Sequence, residues 1–245
     1  MLARYLRSSL AVRRRGAAAV VAACLSCGLA PSLSAHEPER TVDRFERQEL
    51  TGVYYSEGIN AGDLNGDDIA DIVYGPHWYE GPSSTEAREI YPAKPQNLEG
   101  YSDHFFHWVH DFDADGRNDV LIVGFPGTPS FVYRNPGPDG WSAAWPKFQV
   151  IDSVGNESPQ FVDLVGDATP ELVFTHHGRY AYASFEPGQG LEGWKIQPIS
   201  EANAHPQFGH GLGVGDVDGD GRQDVLCKDG WFRQPEELGG PWPFT

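Results

Sequence analysis

The 245-residue chain is poor in cysteine and in positive charge. Of its three cysteines, Cys24 and Cys27 fall inside an apolar N-terminal stretch, which leaves only Cys227 to the rest of the chain. No disulfide can staple that part, and the Cys-x-x-Cys at 24–27 reads as neither redox nor haem chemistry. Cys227 is most simply a small buried hydrophobe. Five of the 18 basic residues precede position 36; beyond it 13 bases face 35 acids, a net charge of −22. That charge argues against nucleic acid and anionic membrane surfaces as partners. The apolar run from Ala17 to Ala30 falls short of the roughly 20 residues that span a bilayer, so no membrane span is expected. A nucleophile elbow, a phosphate loop, a zinc-protease motif and a haem-binding Cys-x-x-Cys-His are also missing past the leader, which favours binding over catalysis.

The first 35 residues carry five arginines and no acid, then the apolar run, then small residues ending at Ala35. This reads as a secretory signal over residues 1–35, cut before His36 and followed by a linker at 36–43. Val21-Ala22-Ala23-Cys24 also resembles a bacterial lipoprotein box, which would leave a lipid anchor on Cys24. Both readings place the protein outside the cytoplasm, in the periplasm, on the cell surface or in the medium. An exported chain without disulfides needs another staple, and a bound ion can serve.

What the chain has in quantity is acid at a regular interval. Asp63 to Asp71, Asp111 to Asp119, Asp163 to Glu171 and Asp216 to Asp224 begin 48, 52 and 53 residues apart and hold fifteen of the acids. A period near fifty reads as a repeat architecture. Oxygen donors at positions 1, 3, 5 and 9, with a turn residue at position 6, suit a hard cation wanting six or more oxygens, calcium better than magnesium. An EF-hand is excluded, because it requires glutamate at position 12, where Tyr74, Ile122 and Cys227 stand. The third stretch has Val165 at position 3, Ala168 at position 6 and Glu171 at position 9, so weak or absent metal is expected there.

Each acidic stretch is followed by a short β-prone run: Ile72-Val73-Tyr74, Val120 to Val123, Leu172-Val173-Phe174 and Val225-Leu226-Cys227. Third strands are expected at Trp78–Pro82, Val132–Pro136, Ser184–Pro187 and Trp231–Pro235, and fourth strands at Trp145–Val150 and Trp194–Ile199. Four antiparallel strands per unit, repeated, make an all-β β-propeller of four-stranded blades. The blades are expected at about 51–100, 101–152, 153–201 and 202–245, within a domain spanning 44–245. The aromatic stripes belong to the core between blades. Phe45 to Leu50 and Pro241 to Thr245 both look like a fourth strand for the last blade, and one is redundant. The two ring sizes left open are a truncated seven-blade ring and a closed four-blade ring.

The Asp-x-Asp-x-Asp-Gly-x-x-Asp loops followed by a β-run resemble the FG-GAP/VCBS repeats of the integrin α-chain propeller and of many exported bacterial proteins, over about residues 44–245. The resemblance implies about three calcium sites: Asp63, Asn65, Asp67 and Asp71; Asp111, Asp113, Asp115 and Asp119; Asp216, Asp218, Asp220 and Asp224. It implies no single activity, because such propellers serve adhesion, carbohydrate binding and lyase scaffolds alike.

All four loops join strand one to strand two and share one face. The opposite face should carry Glu57, His77, Trp78, His104, Glu157, His176, His177, His205 and His210. Glu57, Glu157 and His210 share one offset, six residues before the first aspartate of a loop. This set reads as a ligand face, with a second, transition-metal site as one use of its imidazoles and a wet channel lining as the plain alternative. His107 and His110 read as structural. The function expected is an exported calcium-binding module for a protein or carbohydrate ligand. The alternatives are a carbohydrate-active lyase or dehydratase using the histidine and glutamate face, and a scaffold fragment without independent function.

Overall fold

A computed structural model describes residues 47–83, 85–189, 191–203 and 207–245. The signal, the linker, Cys24, His205 and the start of the expected strand at Phe45 lie outside the described residues. The chain divides after Arg47, and the unit Gln48–Thr245 holds every described strand.

Fifteen strands form four antiparallel sheets in chain order. Sheet 1 is β1 (Ile59–Gly62), β2 (Asp71–Tyr74), β3 (His77–Tyr79) and β4 (Ala87–Glu89). Sheet 2 is β5 (His104–His110), β6 (Asp119–Gly124), β7 (Thr128–Tyr133) and β8 (Lys147–Val154). Sheet 3 is β9 (Gln160–Val162), β10 (Glu171–His176), β11 (Arg179–Ser184) and β12 (Lys195–Pro198). Sheet 4 has three strands, β13 (Gly213–Gly215), β14 (Asp224–Cys227) and β15 (Gly230–Phe232). The described residues contain no α-helix, only a 3-10 turn at Pro138–Gly140.

Each acidic stretch connects the first two strands of its sheet. The second strand of sheets 2 and 3 is buried along almost its whole length, as apolar runs such as Val120-Leu121-Ile122-Val123 require. The fourth strand of sheet 4 is reduced to one bridge, Phe244 with Phe232. Three main-chain bonds, Trp231 N–H to Thr245 O, Thr245 N–H to Trp231 O and Arg233 N–H to Pro243 O, hold the same segment at that edge. Pro241 and Pro243 offer no N–H and stop the pairing from extending. Of the two segments expected to compete for this place, the C-terminal one holds it. Arg47 to Leu50, the described end of the other, form no strand.

Three core clusters lie between consecutive sheets. Leu64, Val73 and Trp78 of sheet 1 meet Val120, Ile122 and Trp145 of sheet 2. Leu121, Val123 and Val150 meet Leu172, Phe174 and Trp194 at the second interface, and Val173, Tyr182 and Ile199 meet Val225, Phe232 and Trp242 at the third. Among the described residues no cluster joins the fourth sheet to the first. The aromatic stripes are therefore core, as their spacing implied.

The register between sheets is carried by position 2 of the acidic loops. Leu64, Phe112 and Leu164 are at most 2 % exposed because each sits under the following sheet, whereas Val217, which no further sheet covers among the described residues, is 45 % exposed. Side-chain amides of the next sheet cap two of these residues: Asn135 Nδ2 donates to Leu64 O at 2.8 Å, and Gln234 Nε2 to Leu164 O at 2.6 Å. Backbone also approaches backbone at the opposite end of the sheets. A Cβ on Gly58 would lie 2.2 Å from Phe105 O, so only glycine fits there.

Candidate metal centre and the opposite face

The four loops share one backbone. Positions 4 and 6 have positive φ in every copy: Gly66 and Asp68, Ala114 and Gly116, Gly166 and Ala168, Gly219 and Gly221. Ala168 reaches φ 73° without the help of a missing Cβ, so the third loop keeps the turn that its sequence argues against. What holds the turn is the first aspartate. Asp63 accepts the N–H of Gly66 at 2.7 Å, Asp67 at 3.2 Å and Asp68 at 2.9 Å. Asp163 repeats the pattern on Gly166, Asp167 and Ala168. Asp216 does so on Gly219, Asp220 and Gly221. Burial alone would raise Asp63, yet these donors outweigh it and hold the carboxyl below its ordinary range.

Position 9 has a different task. Asp71, Asp119 and Asp224 are fully buried, and each spends its two oxygens on two backbone N–H groups. Asp71 takes Leu64 and Gly81, Asp119 takes Phe112 and Asn135, and Asp224 takes Val217 and Gln234. Glu171, longer by one methylene, bonds Leu164 and Val165. These carboxylates brace loop to sheet. Burial pushes Asp119 and Glu171 up to about 7 against the pull of those donors.

Two loops gather carboxylates as a cation site would. Asp111, Asp113 and Asp115 each bring one oxygen within 4.8 Å of the others, and so do Asp216, Asp218 and Asp224. Arginines already answer this charge: Arg117 pairs with Asp115, Arg222 with Asp220, and Arg233 with Asp218 at 2.7 Å and Asp220 at 2.9 Å. In the first loop Asn65 accepts from Asp67 N–H at 3.0 Å, and Asp67 accepts from Ile69 N–H at 2.9 Å. Its seventh position is Ile69, which carries no charge.

Residues 111–174, from the first aspartate of the second loop to β10, match the model of the FG-GAP-like repeat. The chain carries an FG-GAP-like repeat. The matched span holds one full step of the period, with two acidic loops and part of the core between sheets 2 and 3. No curated protein matches the chain. Among solved structures, an Agrocybe aegerita lectin, studied for specific recognition of non-reducing terminal N-acetylglucosamine, aligns at TM-score 0.49 and 19% identity, over 76% of this chain and 51% of the lectin. The V. cholerae biofilm matrix protein Bap1 aligns at TM-score 0.41 and 13% identity, over 74% of this chain and 29% of its own. The chain thus spans about half the length of the lectin.

On the opposite face the expected ligand residues separate into local groups. Glu57 accepts from Tyr54 OH and, at 3.3 Å, from Ser102 N–H. Glu157 lies 3.4 Å from His210 Nε2, so these two do meet. The shared offset of Glu57 and Glu157 has a backbone cause: each donates its N–H to the next sheet, Glu57 to His104 O and Glu157 to Gly209 O, both at 3.0 Å. His104 Nδ1 lies 3.2 Å from Tyr91 OH, and His77 is buried beside Tyr55 and 3.9 Å from Glu89. Trp78 is not on this face. It is fully buried in the first core against Trp141, with Arg88 over its ring, because it alternates away from its neighbours His77 and Tyr79.

His176 and His177 converge on a residue that sequence reasoning missed. Asp152 Oδ1 lies 2.7 Å from His176 Nε2, and Oδ2 lies 3.2 Å from His177 Nε2. The bond from His176, then burial opposing it, then the bond from His177 set the balance, and Asp152 is held below the ordinary carboxylate range. An ionised carboxylate can only accept, so both Nε2 atoms donate. Nothing in the repeat pattern flags Asp152. It belongs to β8 of the neighbouring sheet, and no other loop has a counterpart at that offset.

Burial moves four other imidazoles, lowering His77 and His110 along with His104 and His107. It lowers His104 to about 4 and His107 to about 3. For a base depressed on folding, the stabilising contribution is complete above pH 6.5 and is lost as pH falls toward 3 to 4. Asp119 and Glu171 act oppositely, since raised carboxyls lose their contribution as pH climbs from about 4 to 7. The histidine part is therefore best read directly. In an NMR titration the His104 and His107 rings should stay neutral down to pH 5, and a midpoint near 6.5 for either would contradict their burial.

Proposed function

We propose that the protein is an exported calcium-binding β-propeller module, its four sheets serving as blades, that captures a protein or glycan ligand on the face opposite the acidic loops. The observation that carries this reading is the pair of carboxylate triads, Asp111-Asp113-Asp115 and Asp216-Asp218-Asp224, set on a loop backbone common to all four sheets. Donor sets made only of oxygen on flexible loops suit calcium. The first loop completes a set of about three sites with Asp63, Asn65, Asp67 and Asp71. The third has Val165 where a ligand is needed and is excluded from the set.

Calcium entering the second and fourth loops has to displace the guanidinium groups of Arg117, Arg222 and Arg233 from the same carboxylates. Val217, open where Leu64, Phe112 and Leu164 are covered, supports a ring of more than four blades over a closed ring of four. Export rests on the N-terminal signal pattern. No helix among the described residues is long and apolar enough to cross a membrane.

The deciding experiment is elemental analysis of the purified chain joined to thermal melts with and without chelator. About three calcium ions per chain are expected. One site held at a hundredfold excess over its Kd is worth about 2.7 kcal/mol. With roughly 2–4 °C per kcal/mol at this chain length, chelation should lower the Tm by about 5–10 °C or more. No bound calcium, with an unchanged Tm, would overturn the reading. For the ligand face, Glu157→Ala should reduce capture on a glycan array while leaving the melt unchanged.

A further inference from the structure

The Asp152, His176 and His177 group stands apart from the acidic loops and has a different donor chemistry. Successive side chains of a strand point to opposite faces, so neighbouring histidines normally diverge. Here β10 ends at His176, and His177 with Gly178 forms the hairpin turn to β11 with φ of 46° and 77°. Such a two-residue turn requires positive φ twice and is usually filled by Asn-Gly. Histidine in the asparagine place brings its ring back beside His176, with centroids 4.1 Å apart. Both Nε2 atoms then face one carboxylate that β8 supplies from the adjoining sheet. One oxygen and two nitrogen donors lie within 4.8 Å of one another. Beside them opens a pocket of about 400 Å³ lined by Asp152, Ser153, Thr175, His177 and Gln207 among others.

We propose that Asp152, His176 and His177 bind one divalent first-row transition ion of the zinc class, with coordination positions left open toward the pocket for an oxygen of a bound ligand, a carboxylate or a hydroxyl. Two imidazoles with one carboxylate select for such ions, whereas calcium takes oxygen donors. Three protein ligands with a free position are the arrangement in which a metal holds an exogenous group. Binding needs only that each Nε2 proton give way to the ion, the imidazole proton moving to Nδ1. This site is independent of the calcium reading, since it shares no residue with the loops.

The test is titration of the purified chain with Zn2+ alone, by calorimetry, in excess calcium so that the acidic loops are occupied or competed. Co2+ serves as a spectroscopic stand-in whose visible absorption reports nitrogen donors. One equivalent of zinc is expected. His177→Asn keeps a residue suited to the left-handed turn and removes the imidazole, so the melt should be unchanged while zinc affinity falls by about 100-fold. His176→Gln and Asp152→Asn should weaken binding comparably. Asp113→Asn, which alters an acidic loop, should leave it intact. Absence of zinc binding, binding indifferent to His176→Gln and His177→Asn, or binding lost in Asp113→Asn would each overturn the proposal.

Discussion

Replacing Asp119 by alanine should lower the unfolding free energy by about 3–5 kcal/mol, even in calcium-free buffer. The side chain is fully buried and accepts from two main-chain donors, Phe112 N–H at 3.2 Å and Asn135 N–H at 2.8 Å. Alanine leaves both donors without an acceptor in a place water does not reach. Each orphaned N–H costs roughly 1–3 kcal/mol, more than the bonds themselves contribute in net terms. Burial already pushes Asp119 up to about 7, so removal of a poorly solvated charge offsets part of the loss. Asp119→Asn keeps one acceptor oxygen and should lose about half as much. Urea denaturation in the presence of chelator measures the energy, and hydrogen exchange at Phe112 and Asn135 locates it. A loss under about 1 kcal/mol would mean that position 9 serves only as a metal ligand, not as the brace between loop and sheet.

Phe112→Ala should cost a similar amount, about 3–5 kcal/mol, for a different reason. The ring is completely buried and packs against Phe161, Phe185 and Trp194 with centroids 5.6, 5.1 and 5.6 Å away. Its removal opens a cavity in the core between sheets 2 and 3, and rigid aromatic neighbours cannot collapse to fill it. Val217 holds the same position in the fourth loop and is 45 % exposed. Val217→Ala should therefore stay within about 0.5 kcal/mol of the parent protein. Chemical denaturation of the two variants makes the comparison. Equal losses in both would be falsifying evidence against the position-2 residue acting through the following sheet.

Both predictions concern one nine-residue stretch, and they show that its residues have divided duties. The first aspartate organises the turn, the second residue reaches across to the next sheet, and the ninth ties the loop back to its own sheet. Positions 3 and 5 are left exposed or half-exposed with oxygens to offer. In the second and fourth loops arginines neutralise them.

Sequence by itself determined the period, the all-β class, the loop-to-strand order and the membership of the aromatic stripes in the core. These follow from short-range physics. An Asp-rich turn bonds its own backbone within a few residues, and an apolar run next to it has no option but to be a buried strand. Lateral packing decided the rest. The left-handed turn at Ala168 persists because Asp163 captures three N–H groups, a compensation that residue preferences do not register. Trp78 went to the core, and the ligand face separated into local pairs, since alternation along a strand and not alignment offset sets where a side chain points. The Asp152 carboxylate met His176 and His177 only once sheet 2 lay beside sheet 3. A contact between residues 24 and 25 positions apart on different sheets leaves no periodic trace, and only the assembled stack brings it into being.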